Sequence, residues 1–354
     1  MLLSDDKIIQ QDLDDIINID FINWDLLKNK TVLVTGATGL IGSQLVMSLL
    51  NANVEKNLNL KVLAVVRNKQ KAEKIFKYSD DKSLEFVVQD ILKPFNIAST
   101  VDYIVHGASM TGSKEFVDYP VETIKTAIQG TENILELAKE KSIDGMVYLS
   151  SLEVYGVVDF SIDKVTEDMF GTIDPMSVRS SYSEGKRMVE CLCSSYASEY
   201  KIPIKVARLC QTFGAGVNYS DNRVFAQFAR SIIEGKDIVL KTDGSTERNY
   251  CYIRDAIAGI LTLLLKGESG QAYNIANKNT LISIRGMAEM LIEKYSESGS
   301  KLVFDIAEDA TKLGYNPKVK MNLDTQKIEK LGWKAEVGLE VMFEHLIESM
   351  KLNK

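Results

Sequence analysis

The stretch TVLVTGATGLIGSQLVMSLL, residues 31–50, decides the fold. Its first five residues are apolar or β-branched and read as a strand buried on both faces. Gly36, Gly39 and Gly42 follow, and the apolar spacing then turns helical. In such a strand–turn–helix the first glycine permits a tight turn and the second lets a pyrophosphate approach the backbone. The third lets the helix pack closely on the strand. The opening of the helix then presents N–H groups and a partial positive charge to phosphates. Gly36, Thr38, Gly39, Leu40, Ile41 and Gly42 are thereby assigned to a dinucleotide cofactor.

Outward from this turn, apolar runs at 31–36, 61–66, 84–88, 101–106, 145–151 and 202–209 alternate with helical patterns near 40–52, 69–78, 121–141 and 182–200. That rhythm predicts an α/β protein with a Rossmann-type, doubly wound parallel sheet. Beyond about residue 210 the rhythm loosens. Loops are expected at 214–222 and 241–246, and helices near 223–234, 254–265, 283–295 and 339–351. The expected organisation is an N-terminal arm (1–29), a dinucleotide-binding domain (30–210) and a smaller, mixed substrate-binding lobe (211–354) interleaved with it. Ile16, Ile17, Ile19, Phe21, Ile22 and Trp24 give the arm something to bury, so it should pack on the main domain rather than trail as a tail.

The 354 residues carry a net charge of −7, with 45% hydrophobic and 26% charged residues, which is ordinary for a soluble globular chain. This charge argues against a nucleic-acid binder but allows an anionic small molecule held locally. Cys191, Cys193, Cys210 and Cys251 form no CxxC pair, and only His106 and His345 accompany them, so no zinc constellation is expected. The thiols read as reduced, with Cys191 and Cys193 assigned to packing. The acidic start is no signal peptide, and no apolar run approaches the roughly 20 residues of a membrane span. A cytoplasmic protein without a membrane partner is expected.

The second strand ends Val65-Val66-Arg67, without the acidic residue that usually meets an NAD ribose. Arg67 suits a 2′-phosphate, which favours NADP over NAD; a solvated or adenine-stacking arginine is the alternative. Asp90, after the third strand, is placed against the adenine amine, with Ile91 and Ala108 completing the cofactor set.

Tyr182-Ser183-Glu184-Gly185-Lys186 contains Y-x-x-x-K, which puts both side chains on one helix face. A nearby ammonium is expected to lower a tyrosine pKa, so that the phenol can take a hydroxyl proton while hydride leaves the same carbon. Tyr78-Ser79-Asp80-Asp81-Lys82 matches the same spacing. It precedes a strand, however, and is expected at the edge of the sheet away from the ligand. Tyr182 instead follows a strand ending in Ser150-Ser151.

TGATGLIG, HGAS (106–109), SSLEVYG (150–156) and YSEGK (182–186), in this order, resemble the extended short-chain dehydrogenases of the NAD-dependent epimerase/dehydratase family, which modify nucleotide sugars. PVETIKTAIQGT (120–131), RSSYSEGKR (179–187), ARLCQTFG (207–214) and DNRVFAQF (221–228) are similar to the UDP-glucuronate decarboxylases among them. The resemblance selects Ser151 over Ser150 as catalytic, beside Tyr182 and Lys186. It places Glu153 where dehydratases and decarboxylases carry a catalytic glutamate, and puts Thr111, Gln211, Arg223 and Arg248 on the substrate, the arginines near its phosphates. Leu152 stands in place of the dehydratases' acid, Ala127 in place of a structural asparagine, and Gln211 in place of an asparagine that contacts substrate.

The resemblance implies oxidation of a sugar hydroxyl, at C4, as the first step of epimerisation, dehydration or decarboxylation of a nucleotide sugar. It also implies a homodimer through the helices near 121–141 and 182–200. A nucleotide-sugar or nucleotide-polyol dehydrogenase with exchangeable NADP(H) is the alternative. A non-catalytic dinucleotide sensor is the alternative of another class, opposed by the survival of Ser151, Tyr182 and Lys186.

Overall fold

A computed structural model describes residues 1–79, 82–295, 299–308, 318–352 and 354. Along the chain run strands β1 (Thr31–Thr35), β2 (Lys61–Val66), β3 (Leu84–Val88), β4 (Tyr103–His106), β5 (Gly145–Ser151), β6 (Ile204–Leu209), β7 (Gln211–Phe213), β8 (Ile238–Leu240), β9 (Glu247–Tyr252), β10 (Gln271–Ile275), β11 (Asn277–Ser283), β12 (Leu302–Phe304) and β13 (Lys320–Met321). The helices are α1 (Lys7–Ile17), α2 (Leu40–Glu55), α3 (Lys69–Ile75), α4 (Glu115–Asp118), α5 (Pro120–Lys141), α6 (Ser180–Tyr200), α7 (Val224–Ile233), α8 (Ile253–Lys266), α9 (Ile284–Tyr295), α10 (Gln326–Glu329) and α11 (Leu339–Leu352).

Seven strands form the main sheet in the order β3-β2-β1-β4-β5-β6-β10, and every neighbouring pair is parallel. Successive residues of a strand face opposite sides of a sheet, and β1 uses this alternation to feed two cores. Val32 and Val34 face the cluster under α2 and α8, while Leu33 faces the cluster under α5 and α6. Burial on both faces explains the near-continuous apolar strands. The strand order reverses between β1 and β4, and in such sheets the crevice at the strand C-termini is where ligands bind.

The seventh strand was not anticipated, because Gln271 and Asn274 interrupt its apolar pattern. Asn274 is fully buried yet satisfied: it accepts from Tyr155 Oη (2.7 Å) and donates to the carbonyls of Val165 and Asp324 (3.0 Å each). The strands expected at 101 and 202 start later, at Tyr103 and at Ile204 behind Pro203, which has no N–H to give a ladder. Helix α3 stops at Ile75 rather than 78; only Ala72 on it is buried, so no apolar face sustains a longer helix.

Past β6 the chain alternates between layers. β7, β9, β11 and β13 make a mixed second sheet, and β8 pairs with β12. Helix α8 and strand β10 return to the main sheet, with α8 packed on β5 and β6. Ahead of β1, helix α1 packs on α2 and α8 and buries Ile9, Leu13, Ile16 and Ile17. No helix among the described residues is long and apolar enough to cross a membrane.

Candidate active site

A single cleft of about 1520 Å³ opens above the C-terminal ends of β1, β2, β4 and β5. That exceeds the 300–1,000 Å³ of ordinary ligand pockets, leaving room for two ligands side by side.

The glycine turn forms its floor. Gly36 has φ +70°, and a Cβ there would stand 2.8–2.9 Å from the backbone of Gly107 and Ala108. A Cβ on Gly42 would lie 2.2 Å from the carbonyl oxygen of Gly36. Both positions therefore demand glycine. No side chain caps α2, which starts behind Gly39, so the first N–H groups of the helix face the cleft. This is a fitting cradle for a pyrophosphate. Thr35 braces the turn: its hydroxyl accepts from the Gly107 and Ala108 N–H groups (3.2 and 3.1 Å) and meets His106 Nδ1 at 2.6 Å. His106 Nε2 reaches Thr131 Oγ1 (3.0 Å), whose own proton goes to the Ala127 carbonyl (2.6 Å). Thr131 must then accept, which puts the imidazole proton on Nε2. Burial pulls His106 down to about 3, so the ring is neutral.

Thr38, Gly39, Leu40, Ile41, Arg67, Asp90, Ile91, Ala108, Thr111, Gln211 and Arg223 all line the cleft. Arg67 and Asp90 are exposed on its wall, beside buried Val66 and Ile91. Arg223 is bidentate with Asp221 (Nε to both oxygens at 3.1 Å, Nη2 to Oδ2 at 2.6 Å). Arg248 is the exception. It lies on β9 beside Ile282 and Met321 and is not among the residues lining the cleft; its buried Nε has no hydrogen-bond partner among the described residues.

Ser151, Glu153, Tyr182 and Lys186 converge on the same cleft. Ser151 ends β5 and caps the following 3-10 turn by accepting the Glu153 N–H (3.2 Å). Its hydroxyl is near enough to Tyr182 to favour the phenolate. Ser150 is committed elsewhere, donating to Glu190 Oε1 at 2.5 Å. Helix α6 carries Lys186 one turn after Tyr182, with Nζ bonded to the Leu149 carbonyl (2.7 Å) and 5.7 Å from the Tyr182 ring centre. Burial draws Lys186 down to about 8, against the partial support of Glu190.

The expected lowering of the Tyr182 pKa is not what the protein groups produce. Burial pushes it up and the Glu153 charge adds to that, outweighing Ser151, Arg179 and Arg223. Lys186 is buried itself and bonded to a carbonyl, so it does not reverse the balance.

Glu153 is held by two partners: Arg179 Nη2 donates to Oε1 (2.9 Å) and Ser183 Oγ to Oε2 (3.0 Å). Arg179 in turn sits over Phe116 (4.8 Å), and Phe116 stacks on Tyr182 with ring centres 4.2 Å apart. Arg179 was legible as lying one turn before Tyr182 on the same helix face; nothing in the sequence links Phe116 to Tyr182. Leu152, in the dehydratase acid's place, is buried.

Tyr78 is not at the far edge. The short α3 lets the chain turn at Phe76–Ser79, and Tyr78 lines the cleft margin with its hydroxyl on Asp5 (2.5 Å). Asp80 and Asp81, the centre of that second motif, lie outside the described residues. Cys193 is buried as expected of a packing residue, but Cys191, also assigned to packing, is exposed. No metal-binding group of His, Cys, Asp or Glu occurs among the described residues.

A family model described as the NAD dependent epimerase/dehydratase family matches residues 32–276. UDP-glucuronic acid decarboxylase 6 of Arabidopsis thaliana is 30% identical over 306 residues, spanning 83% of this chain and 86% of that protein. The crystal structure of a UDP-glucuronic acid 4-epimerase from Bacillus cereus in complex with NAD is 25% identical and superposes with a TM-score of 0.72, covering 92% of this chain and 100% of the other. An epimerase from Methanothermobacter thermautotrophicus, 21% identical, shares the fold with a TM-score of 0.76 over 99% of this chain and 97% of its own.

Proposed function

The chain belongs to the NAD dependent epimerase/dehydratase family, and from that premise we propose that it oxidises the C4 hydroxyl of a nucleotide-linked uronic acid and releases its carboxylate as CO2. The observation that carries this reading is the convergence of Ser151, Tyr182 and Lys186 on one cleft, beside a glutamate whose two oxygens are both engaged.

Tyr182 Oη takes the C4 hydroxyl proton, with Ser151 orienting that hydroxyl and Lys186 holding the ribose of the cofactor. A nicotinamide dinucleotide on the glycine turn supplies a reversible hydride acceptor and a positive ring charge that favours the phenolate. The C4 ketone makes the C5 carboxylate a β-keto acid. The C5–C6 bond then breaks, its electron pair passes into the C4 enolate, CO2 leaves and a proton from solvent adds at C5; the C4 ketone then takes back the hydride and the Tyr182 proton, giving the nucleotide-linked pentose. Dehydration instead needs a base for the C5 proton, and epimerisation needs the C4 ketone to turn over before hydride returns. Arg179 and Ser183 engage Glu153 and Leu152 is apolar, which speaks against dehydration; the 30% identity to a UDP-glucuronic acid decarboxylase favours decarboxylation over epimerisation. UDP-glucuronic acid, the substrate in the names of the decarboxylase and the 4-epimerase, is the first candidate.

Arg67 supports NADP as the finer cofactor reading, which parallel titrations with NADH and NADPH decide. Exposed Val121 and Ile124 on α5 and Met188 on α6 support a homodimer through these helices, to be checked by light scattering. To test the function, the purified chain is given UDP-, TDP-, GDP- and CDP-sugars without added cofactor and followed by NMR. Release of CO2 from UDP-glucuronic acid is expected. A keto sugar, an epimer, or turnover only with added NADPH would overturn decarboxylation.

A further inference from the structure

The residues ahead of β1 lie outside the family match at 32–276, yet they wall the cleft: Leu3, Ser4, Asp5, Asp6 and Ile9 line it. Ile9 Cδ1 and Leu40 Cδ1 lie 3.2 and 3.6 Å from the point where a Cβ on Gly216 would stand. The arm therefore meets the start of α2, where the pyrophosphate cradle is. At its other end Asp5 accepts from Lys77 Nζ and Tyr78 Oη, both at 2.5 Å, just past α3. Arg67, Lys71 and Ile75 line the same stretch of cleft. The arm thus lines the cleft between the start of α2 and the segment just past α3.

It is also tied down. Asp6 Oδ1 caps α1, accepting from the Ile8 and Ile9 N–H groups (2.9 and 3.3 Å). Its Oδ2 accepts from Ser349 Oγ (2.5 Å), which in turn accepts the Gly216 N–H (2.8 Å). Farther along α1, Tyr252 donates to Asp12 (2.6 Å) and Arg254 to Asp15 (3.0 Å). A ligand leaving past this flank must displace a segment held at both ends and in the middle.

We propose that Leu3–Ile9 is a fixed wall of the cofactor site that retains the dinucleotide through turnover, keeping release slow. This rests on the reading that the cleft binds a nicotinamide dinucleotide. Retention suits a reaction whose two halves must use one cofactor molecule.

The test is stopped-flow displacement of bound NADPH or NADH, whichever the wild type holds more tightly, from the full chain, read by its fluorescence. Asp5→Lys sets like charges against Lys77 at an exposed pair, and release should quicken about threefold. Asp5→Lys with Asp6→Ala also removes the helix cap and the Ser349 tie, and release should quicken about tenfold. Asp5→Lys with Lys77→Glu restores an opposite-charge pair and should return the wild-type rate. Release within a factor of about 1.5 of wild type in Asp5→Lys, whose fold is confirmed by its melting curve, overturns the proposal even if the Asp6→Ala variant fails to fold. A wild-type chain that binds neither NADH nor NADPH overturns the cofactor reading itself, a distinct outcome from unchanged release.

Discussion

Tyr182→Phe should lower turnover of UDP-glucuronic acid by about 10³, within the 10²–10⁴ that positioned acid–base groups contribute. The substitution is nearly silent for the fold. Phenylalanine keeps the stack on Phe116 at 4.2 Å, and the change removes only the hydroxyl that meets Ser151. Steady-state kinetics should therefore show the loss in kcat, with an unchanged melting temperature. A loss smaller than about tenfold would show that another group takes the C4 proton. Burial holds Tyr182 above the usual phenol range, so on the proposed mechanism the positive nicotinamide ring would favour its phenolate. The same environment keeps it a phenol, ready to return the proton, once that charge is neutralised.

Arg208→Ala should cost about 3–5 kcal/mol of stability, the range for breaking a buried ion pair from one side. Arg208 is buried and donates three hydrogen bonds to Glu190 (3.1, 3.1 and 2.7 Å), one to Tyr155 Oη (3.0 Å) and one to the Glu167 carbonyl (2.8 Å). Truncation leaves the half-buried Glu190 carboxylate against Ser150 without its counter-charge. With about 2.1 cal/mol/K of unfolding entropy per residue, a loss near 4 kcal/mol lowers the melting temperature of a chain this long by roughly 5 °C. Calorimetry reads it directly. Arg208→Lys should recover little, because one ammonium cannot span Glu190, Tyr155 and Glu167 together. A loss below about 1 kcal/mol would mean that water reaches Glu190 and that the pair is not structural. Because Glu190 also fixes Ser150, the residue before Ser151, turnover should fall along with stability.

Gly36–Gly42 could be read from the sequence because each glycine answers a local constraint, a positive φ at Gly36 and a 2.2 Å approach at Gly42. Tyr182 and Lys186 were legible because helical spacing alone aligns them. Three kinds of feature were not. Strand β10 hides behind Gln271 and Asn274, whose polar side chains meet distant partners: Lys327 for Gln271, and Tyr155, Val165 and Asp324 for Asn274. The Phe116–Tyr182 stack and the Asp5–Tyr78 contact join segments more than 60 residues apart, and spacing within one element says nothing of these. The direction of the Tyr182 shift depends on burial, which a motif does not encode. Arg248 shows the converse: a motif position carried over by resemblance lies on β9, off the cleft wall.

On the proposed mechanism one site removes and restores hydride at C4 of a uronic acid. UDP-glucuronic acid carrying deuterium at C4 is incubated in ordinary water with the purified chain and no added cofactor, and the product is examined by NMR. Release of CO2 with deuterium retained at C4 of the pentose product is the expected result. CO2 release with hydrogen replacing deuterium at C4, or no turnover of the substrate, would contradict it.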